Sequence, residues 1–219
     1  MLTHTGIKIL PLNDTAPSPV DLAVHMGRLC LYGGAIWFNL LSHSILVSWL
    51  VRSLAPSFEN WAWALLHDAH ETVTGDVPHP WKTDDMRERQ KVLDLRIASY
   101  YKIDRRLVSP AAIKQADLLA TSYAAYALGL RGYSQLQKEK LPTECATEPD
   151  ESTRDLVLAL ADSPLNDPAV CTRGLLNSSI ASMADAFHKI AQMNLEGAYD
   201  VVDRLVQQAV AVSKNRVTV

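Results

Sequence analysis

Cysteine is scarce in this 219-residue chain: three residues, at positions 30, 145 and 171. An odd, widely spaced set builds no disulfide framework and no Cys-x-x-Cys zinc pattern. These cysteines read as small apolar residues in a reducing compartment. A basic excess is also missing, because 21 Lys+Arg stand against 24 Asp+Glu, a formal net charge of −3. Without a basic stripe to displace counterions, duplex nucleic acid is not an expected partner. A few local positive groups still suffice to hold a small phosphorylated anion. There is no Walker-type glycine loop, no GxGxxG and no GxSxG. There is also no HExxH, since the run His67-Asp68-Ala69-His70-Glu71 has the wrong order. The first residues lack a basic region followed by an apolar one, so no secretory leader is expected.

One stretch imitates a membrane span, with no formally charged side chain between Arg28 and Arg52. Gly33-Gly34, Asn39, Ser42, His43, Ser44 and Ser48 interrupt it, and an intramembrane histidine among serines is costly. A buried helix and no membrane partner are therefore expected. Strand-like alternation is scarce, and the pattern predicts helix after helix, an all-α fold. A first helix is expected from Ser18 to Cys30, with Ser18 as cap and Pro19 at the first helical position. A second should run from Asn39 to Leu54. A third should cover ENWAWALLHDAHETV without a break, ending at Thr74-Gly75-Asp76. After the proline loop VPHPWK, a fourth spans Asp84 to Lys102, and a fifth opens at Ser109-Pro110 and continues to Leu130. The expected organisation is a core over residues 1–140 and an acidic, proline-containing loop over 141–152. A helical extension over 153–219 then packs on the core or forms an oligomer interface.

Four features could carry chemistry. The doublet His67-Asp68 ends the apolar run WAWALL. Neighbouring helical side chains point about 100° apart, so both reach one metal only off that edge of the helix. Imidazole with carboxylate is a borderline-hard ligand set, yet alone the pair is equally a polar helix end. His43 lies inside the most apolar stretch, where a buried imidazole needs partners for both nitrogens. Taken singly, it is a satisfied core histidine as readily as a ligand. Asp117 sits within an alanine-rich helix, a poor place for an aspartate unless a cation or a basic side chain pairs with it. Glu71, four residues after His67, falls on nearly the same helix face and is placed to hold or deprotonate a water beside a metal. Asp76, next to Gly75, could serve the same water or simply form the turn.

The order His43, His67-Asp68, Asp117 resembles the H…HD…D signature of HD-domain phosphohydrolases. The stretch LLHDAHETVTGDVPHPWK resembles the subgroup containing bacterial 5′-deoxynucleotidases and phage nucleotide phosphohydrolases. In that subgroup the doublet is followed by a glutamate, then Gly-Asp, then a proline loop ending in lysine. Here those are Glu71, Gly75-Asp76, Pro78/Pro80 and Lys82. WFNLLSHSILVSWL resembles the aromatic-rich approach to the subgroup's His-Ser motif. The likeness covers Asp21 to Leu130. It implies an HD-type helical bundle with one divalent metal (Zn, Co or Mn, with Mg as a further option) on His43, His67, Asp68 and Asp117. Glu71 would be the general acid/base, Asp76 a second acidic group, and Lys82 a phosphate contact.

The subgroup's arginine near its aromatic-Gly element is replaced here by Leu31 before Tyr32-Gly33-Gly34, and Arg28, slightly upstream, is the expected substitute. Trp37 or Phe38 could stack on a base, although core packing explains them equally. Ser42 belongs to the His-Ser motif and joins the expected substrate contacts. The short spacing from the doublet to Asp117 is similar to that of compact phage enzymes, including those resembling dATP triphosphohydrolases. The implied activity is hydrolysis of a deoxynucleotide, leaning to a dNTP cleaved to deoxynucleoside plus triphosphate, with a 5′-deoxynucleotidase as the alternative. A catalytically inactive HD nucleotide-binding or scaffold module is the alternative of another class. An HD-type oxygenase would need a dinuclear iron site and more histidines. A homo-oligomer in the cytoplasm is implied, in a host cell if the chain is phage-encoded.

Overall fold

The computed structural model describes residues 16–31, 37–77, 79–130, 148–167 and 177–217. It is all-α, and the pairing between Cys30 and Asn39 is an isolated bridge rather than a strand. The helices are α1 (Pro19–Met26), α2 (Leu40–Leu54), α3 (Phe58–Leu66), α4 (Glu71–Thr74), α5 (Asp84–Tyr100), α6 (Pro110–Ala127), α7 (Glu151–Ala161), α8 (Ser178–Ala191) and α9 (Leu195–Val217). Single 3-10 turns at His79–Trp81 and Pro164–Asn166 join some of them. Among the described residues no helix is long and apolar enough to cross a membrane.

Caps explain most of the starts. The side-chain oxygens of Ser18, Asn39, Ser57, Thr83, Ser109, Asp150 and Asn177 each accept a backbone N–H from the first turn that follows, satisfying donors that have no helical partner. Pro19 and Pro110 follow their caps, where a missing N–H is harmless. Asp150 starts α7 slightly before the expected Thr153 for the same reason. The expected helices over 18–30 and 109–130 are shorter in fact, α1 ending at Met26 and α6 at Ala127.

One expectation needs correction. The helix predicted through ENWAWALLHDAHETV is broken. α3 stops at Leu66, residues 67–70 form a turn, and α4 is a separate piece. The N–H groups of Ala69, Glu71, Thr72 and Val73 reach the carbonyls three residues back, of Leu66, Asp68, Ala69 and His70. That tighter winding brings residues i and i+3 onto one line, which an α-helix does not do. It therefore aligns Asp68 with Glu71, and not His67 with Glu71.

α2 and α3 are joined by the short turn at Ala55–Ser57 and pack together, so they run antiparallel. His43, early in α2, and His67, just past α3, lie at similar chain distances from that turn and so meet at the same end. α6 packs on both helices. Every residue of α3 from Asn60 to Leu66 is buried, as expected for a helix apolar all round. α7, α8 and α9 share one apolar core with α1–α3 and α6, with Leu156, Leu160, Phe187 and Val202 joined to Leu22, Ile45 and Trp61. At Gly27 a Cβ would meet Ile180 Cδ1 at 2.9 Å, so α1 and α8 approach closely there.

Candidate metal centre

His43 lies in the first turns of α2, His67 and Asp68 on the turn after α3, and Asp117 in the second turn of α6. One ligand atom from each lies within 4.8 Å of all the others. His43 Nε2 is 3.2 Å from Asp117 Oδ1 and 3.9 Å from Asp68 Oδ2. His67 Nε2 is 3.0 Å from Asp68 Oδ2 and 3.8 Å from Asp117 Oδ1. Donors about 2.1 Å from one cation sit about 3.0–3.5 Å apart, depending on coordination geometry. The observed spread needs only small adjustment. The histidine side chains are 3% and 8% exposed, whereas Asp68 and Asp117 are 25% and 20% exposed. The cluster is thus buried on its imidazole side and open on its carboxylate side.

The hydrogen bonds suit a cation. His67 Nδ1 lies 2.7 Å from the carbonyl of Ala64, which can only accept, so Nδ1 carries a proton. That leaves Nε2, buried and 3.0 Å from Asp68 Oδ2, to carry a proton toward the carboxylates or, once that proton is lost, to offer its lone pair to a cation. Asp117 divides its oxygens, Oδ1 facing the histidines and Oδ2 accepting from Lys114 at 2.7 Å. Burial opposes protonation of His67, but the carboxylates of Asp68 and Asp117 outweigh it and hold its pKa well above 6.5. Burial pushes Asp68 up, yet the neighbouring His67 draws it down to about 2. Asp117 is likewise held well below the usual carboxylate range, burial being overcome by hydrogen bonds from His43 and His67. The two carboxylates favour positive charge at this point against burial and the nearby Lys114, and the donor set of two imidazoles and two carboxylates fits Zn, Mn, Co or Fe.

Around the cluster stand more ionisable groups. Glu71, 4% exposed, accepts from Lys82 Nζ at 3.3 Å through Oε1, and its Oε2 is buried without a partner. Burial first, then the charges of Asp68 and Asp76, push Glu71 up to about 8 against the pull of Lys82. Asp76 is raised by burial and Asp68, with Lys82 and His43 opposing.

The remaining expected substrate contacts fare unevenly. Phe38 is fully buried in the core, so its ring offers no face to a base, a correction to the stacking role. Trp37 is 42% exposed and donates from Nε1 to the carbonyl of Asn166. Ser42 is fully buried with no partner for its hydroxyl, which leaves it closed to substrate as the chain stands. Arg28 is half-buried on the turn after α1, and its Nε lacks a partner. Four participants were not singled out by sequence reasoning. Lys114 neutralises Asp117, and Asp94 binds His70 Nδ1 at 2.8 Å. Asn166 grips the start of α2. His70 is the fourth. It appears in the sequence only as the residue that spoils an HExxH motif.

No protein-family model matches the chain. It is 30% identical over 114 residues to the "Uncharacterized protein YfdR" of Escherichia coli (strain K12). Those residues make up 50% of this chain and 60% of that protein, so the likeness spans less than two thirds of the relative.

Proposed function

We propose that this chain is a metal-dependent phosphohydrolase of the HD-domain type, acting on deoxynucleotides, with a lean to a dNTP cleaved to deoxynucleoside plus triphosphate. The observation that carries the reading is the convergence of His43, His67, Asp68 and Asp117 from separate elements onto one point that favours positive charge. When bound there, a divalent cation lowers the pKa of water and neutralises charge on a phosphoryl oxygen. The chain's own residues do the rest. The edge formed by Asp68 and Asp117, about a quarter and a fifth exposed, leaves an approach for substrate. Glu71 and Asp76 lie beside it and orient a water and carry its proton as its oxygen joins phosphorus. The ester oxygen that leaves with the nucleoside takes a proton from the same carboxyl groups. Lys82 supplies positive charge where it builds on the phosphoryl group, exchanging Glu71 for phosphate. Of Trp37 and Phe38, Trp37 is the exposed one and so the one of that pair available to stack on a base.

A 5′-deoxynucleotidase acting on dNMPs is a second reading. It is favoured by the pairing of Lys82 and Lys114 with carboxylates, which leaves modest positive charge for a triphosphate. The experiment is a product assay on metal-stripped protein, with Mn, Co, Zn or Mg added, against the four dNTPs and four dNMPs. Nucleoside plus intact triphosphate from a dNTP supports the first reading, and phosphate from dNMPs alone supports the second. No turnover with any metal, from protein that still binds one, removes both and leaves a nucleotide-binding module.

A further inference from the structure

A second group of ligand-bearing side chains lies against the first. One ligand atom each from Asp68, His70 and Glu71 falls within 4.8 Å of the other two. The tight 67–70 turn produces this, since Asp68 and Glu71 are three residues apart on an overwound segment. An acidic pair alone would mean little, but the histidine is unusual. His70 is 7% exposed, its Nδ1 is 2.8 Å from Asp94 Oδ1, and its Nε2 is buried with no hydrogen-bond partner. Glu71 is 4% exposed, and its Oε2 is also buried and unpartnered. Two buried polar atoms left without partners, on two residues of one ligand-bearing cluster, are costly unless something else satisfies them. Asp94 takes up Nδ1, which leaves Nε2 as the ring nitrogen free for a cation, the arrangement carboxylates give metal-binding histidines.

We infer that Asp68, His70 and Glu71 form a second divalent-cation site, with the Asp68 carboxylate bridging it to the first. One imidazole and two carboxylates suit Mn, Fe, Co or Zn. The inference shares Asp68 with the proposed centre and otherwise stands on its own residues. Its consequence for the proposed chemistry is specific. Glu71 Oε2 becomes a ligand, and the proton-accepting role falls to Asp76.

The test is Mn titration of the metal-stripped full chain, following free Mn by electron paramagnetic resonance and bound Mn by elemental analysis. Circular dichroism checks that each variant is folded. Two Mn per chain are expected, with a bound signal altered by coupling between the two ions. His70→Gln should bind one Mn, with the signal of an isolated ion. Asp94→Asn keeps size and shape but weakens the second site about 10–100-fold while leaving the first. His43→Gln should lose the first site and keep the second. One Mn in the wild type that survives His70→Gln and is lost in His43→Gln overturns this inference and leaves the first centre standing. Two Mn in both the wild type and His70→Gln also overturn it. No Mn in any form removes both sites.

Discussion

The backbone N–H of Asn39 donates to the side-chain oxygen of Asn166 at 2.8 Å, across 127 residues of sequence. Asn39 is also the cap of α2, accepting from Ser42 N through Oδ1 while its Nδ2 donates to the carbonyls of Gly27 and Leu165. Asn166 in turn donates to the carbonyl of Leu160 at 3.0 Å. The helix start that carries His43 is therefore held by the chain's C-terminal half as well as by α1.

Asn39→Ala removes a cap and the amide that donates to the carbonyls of Gly27 and Leu165. The expected loss is about 2–4 kcal/mol in urea unfolding, the sum of a cap and of one to two unsatisfied buried groups. Asn39→Ser restores the cap oxygen but not the donors to Gly27 and Leu165, so it should lie between wild type and alanine. An unchanged urea midpoint for Asn39→Ala would show that this junction does not hold the fold.

Much of the helical order is legible from local signals, because Ser18-Pro19, Asn39 and Ser109-Pro110 state their own helix starts. The four candidate ligands were legible as a set only through an order that resembles the H…HD…D signature, because singly His67-Asp68 reads equally as a helix end and His43 as a core residue. The turn at residues 67–70 was not. Hydrophobic periodicity cannot separate an α-turn from an overwound one when Leu65, Leu66 and Ala69 are buried in either case. Reading Glu71 against His67 followed from that, whereas the structure pairs it with Asp68. His70 stayed unnoticed because its partner, Asp94, lies 24 residues away on α5. Phe38 and Trp37 are neighbours in sequence with opposite fates, one in the core and one at the surface, which only packing decides.

Divalent metal should stabilise the folded chain. A ligand at a hundred times its dissociation constant adds about 2.7 kcal/mol if it binds only the native state. For a protein of this size that is a rise in Tm of about 5–10 °C. Differential scanning calorimetry with Mn or Zn, and then with excess chelator, should show the rise and its reversal. His67→Asn and Asp117→Asn should lose most of it. A Tm indifferent to every first-row divalent ion would argue that the cluster is held as a metal-free ion-pair network.

The Tyr101 side chain is fully buried and its hydroxyl donates to the carbonyl of Pro17 at 3.2 Å. Burial, then Tyr100 and Asp21, hold its ionisation well above 10. The unfolded chain therefore releases this proton at lower pH than the folded one. Tyr101's contribution is complete below about pH 10 and falls as pH rises through its folded pKa, by up to about 1.4 kcal/mol per pH unit. Tyr101→Phe should be about 1 kcal/mol less stable near pH 7 for want of the hydrogen bond, and should lose that deficit above pH 10. Parallel stability-versus-pH curves for the two proteins would mean the tyrosine is not kept neutral by the fold.

Lys82 is the cation nearest Glu71, with its side chain 17% exposed. Lys82→Met keeps most of the stem and removes the charge. Under the proposed reaction, kcat/KM for the accepted nucleotide should fall about 10²–10³-fold, the loss seen when one donor to a developing oxyanion is removed. Metal content should not change, because no ligand is altered. A loss below threefold in fully metallated protein would take Lys82 out of phosphate recognition and leave it as the counter-ion of Glu71.

Gly75 ends α4 at φ 78° and ψ 160°, and its N–H donates to the carbonyl of Glu71 at 2.7 Å. A Cβ there would meet no heavy atom within 4 Å, so any cost of a side chain comes from the backbone alone. With φ positive and ψ near 180° the residue lies outside the left-handed helical basin, in a region open essentially to glycine. Gly75→Ala should cost about 1–3 kcal/mol. Gly75→Asn should cost as much, because asparagine's tolerance of positive φ applies where ψ is near 45°. Urea unfolding of both variants separates the cases. If asparagine is markedly better tolerated than alanine, the turn that aims Asp76 adopts a different ψ from the one described here. Equal losses would show that the backbone conformation at this position is open essentially to glycine alone.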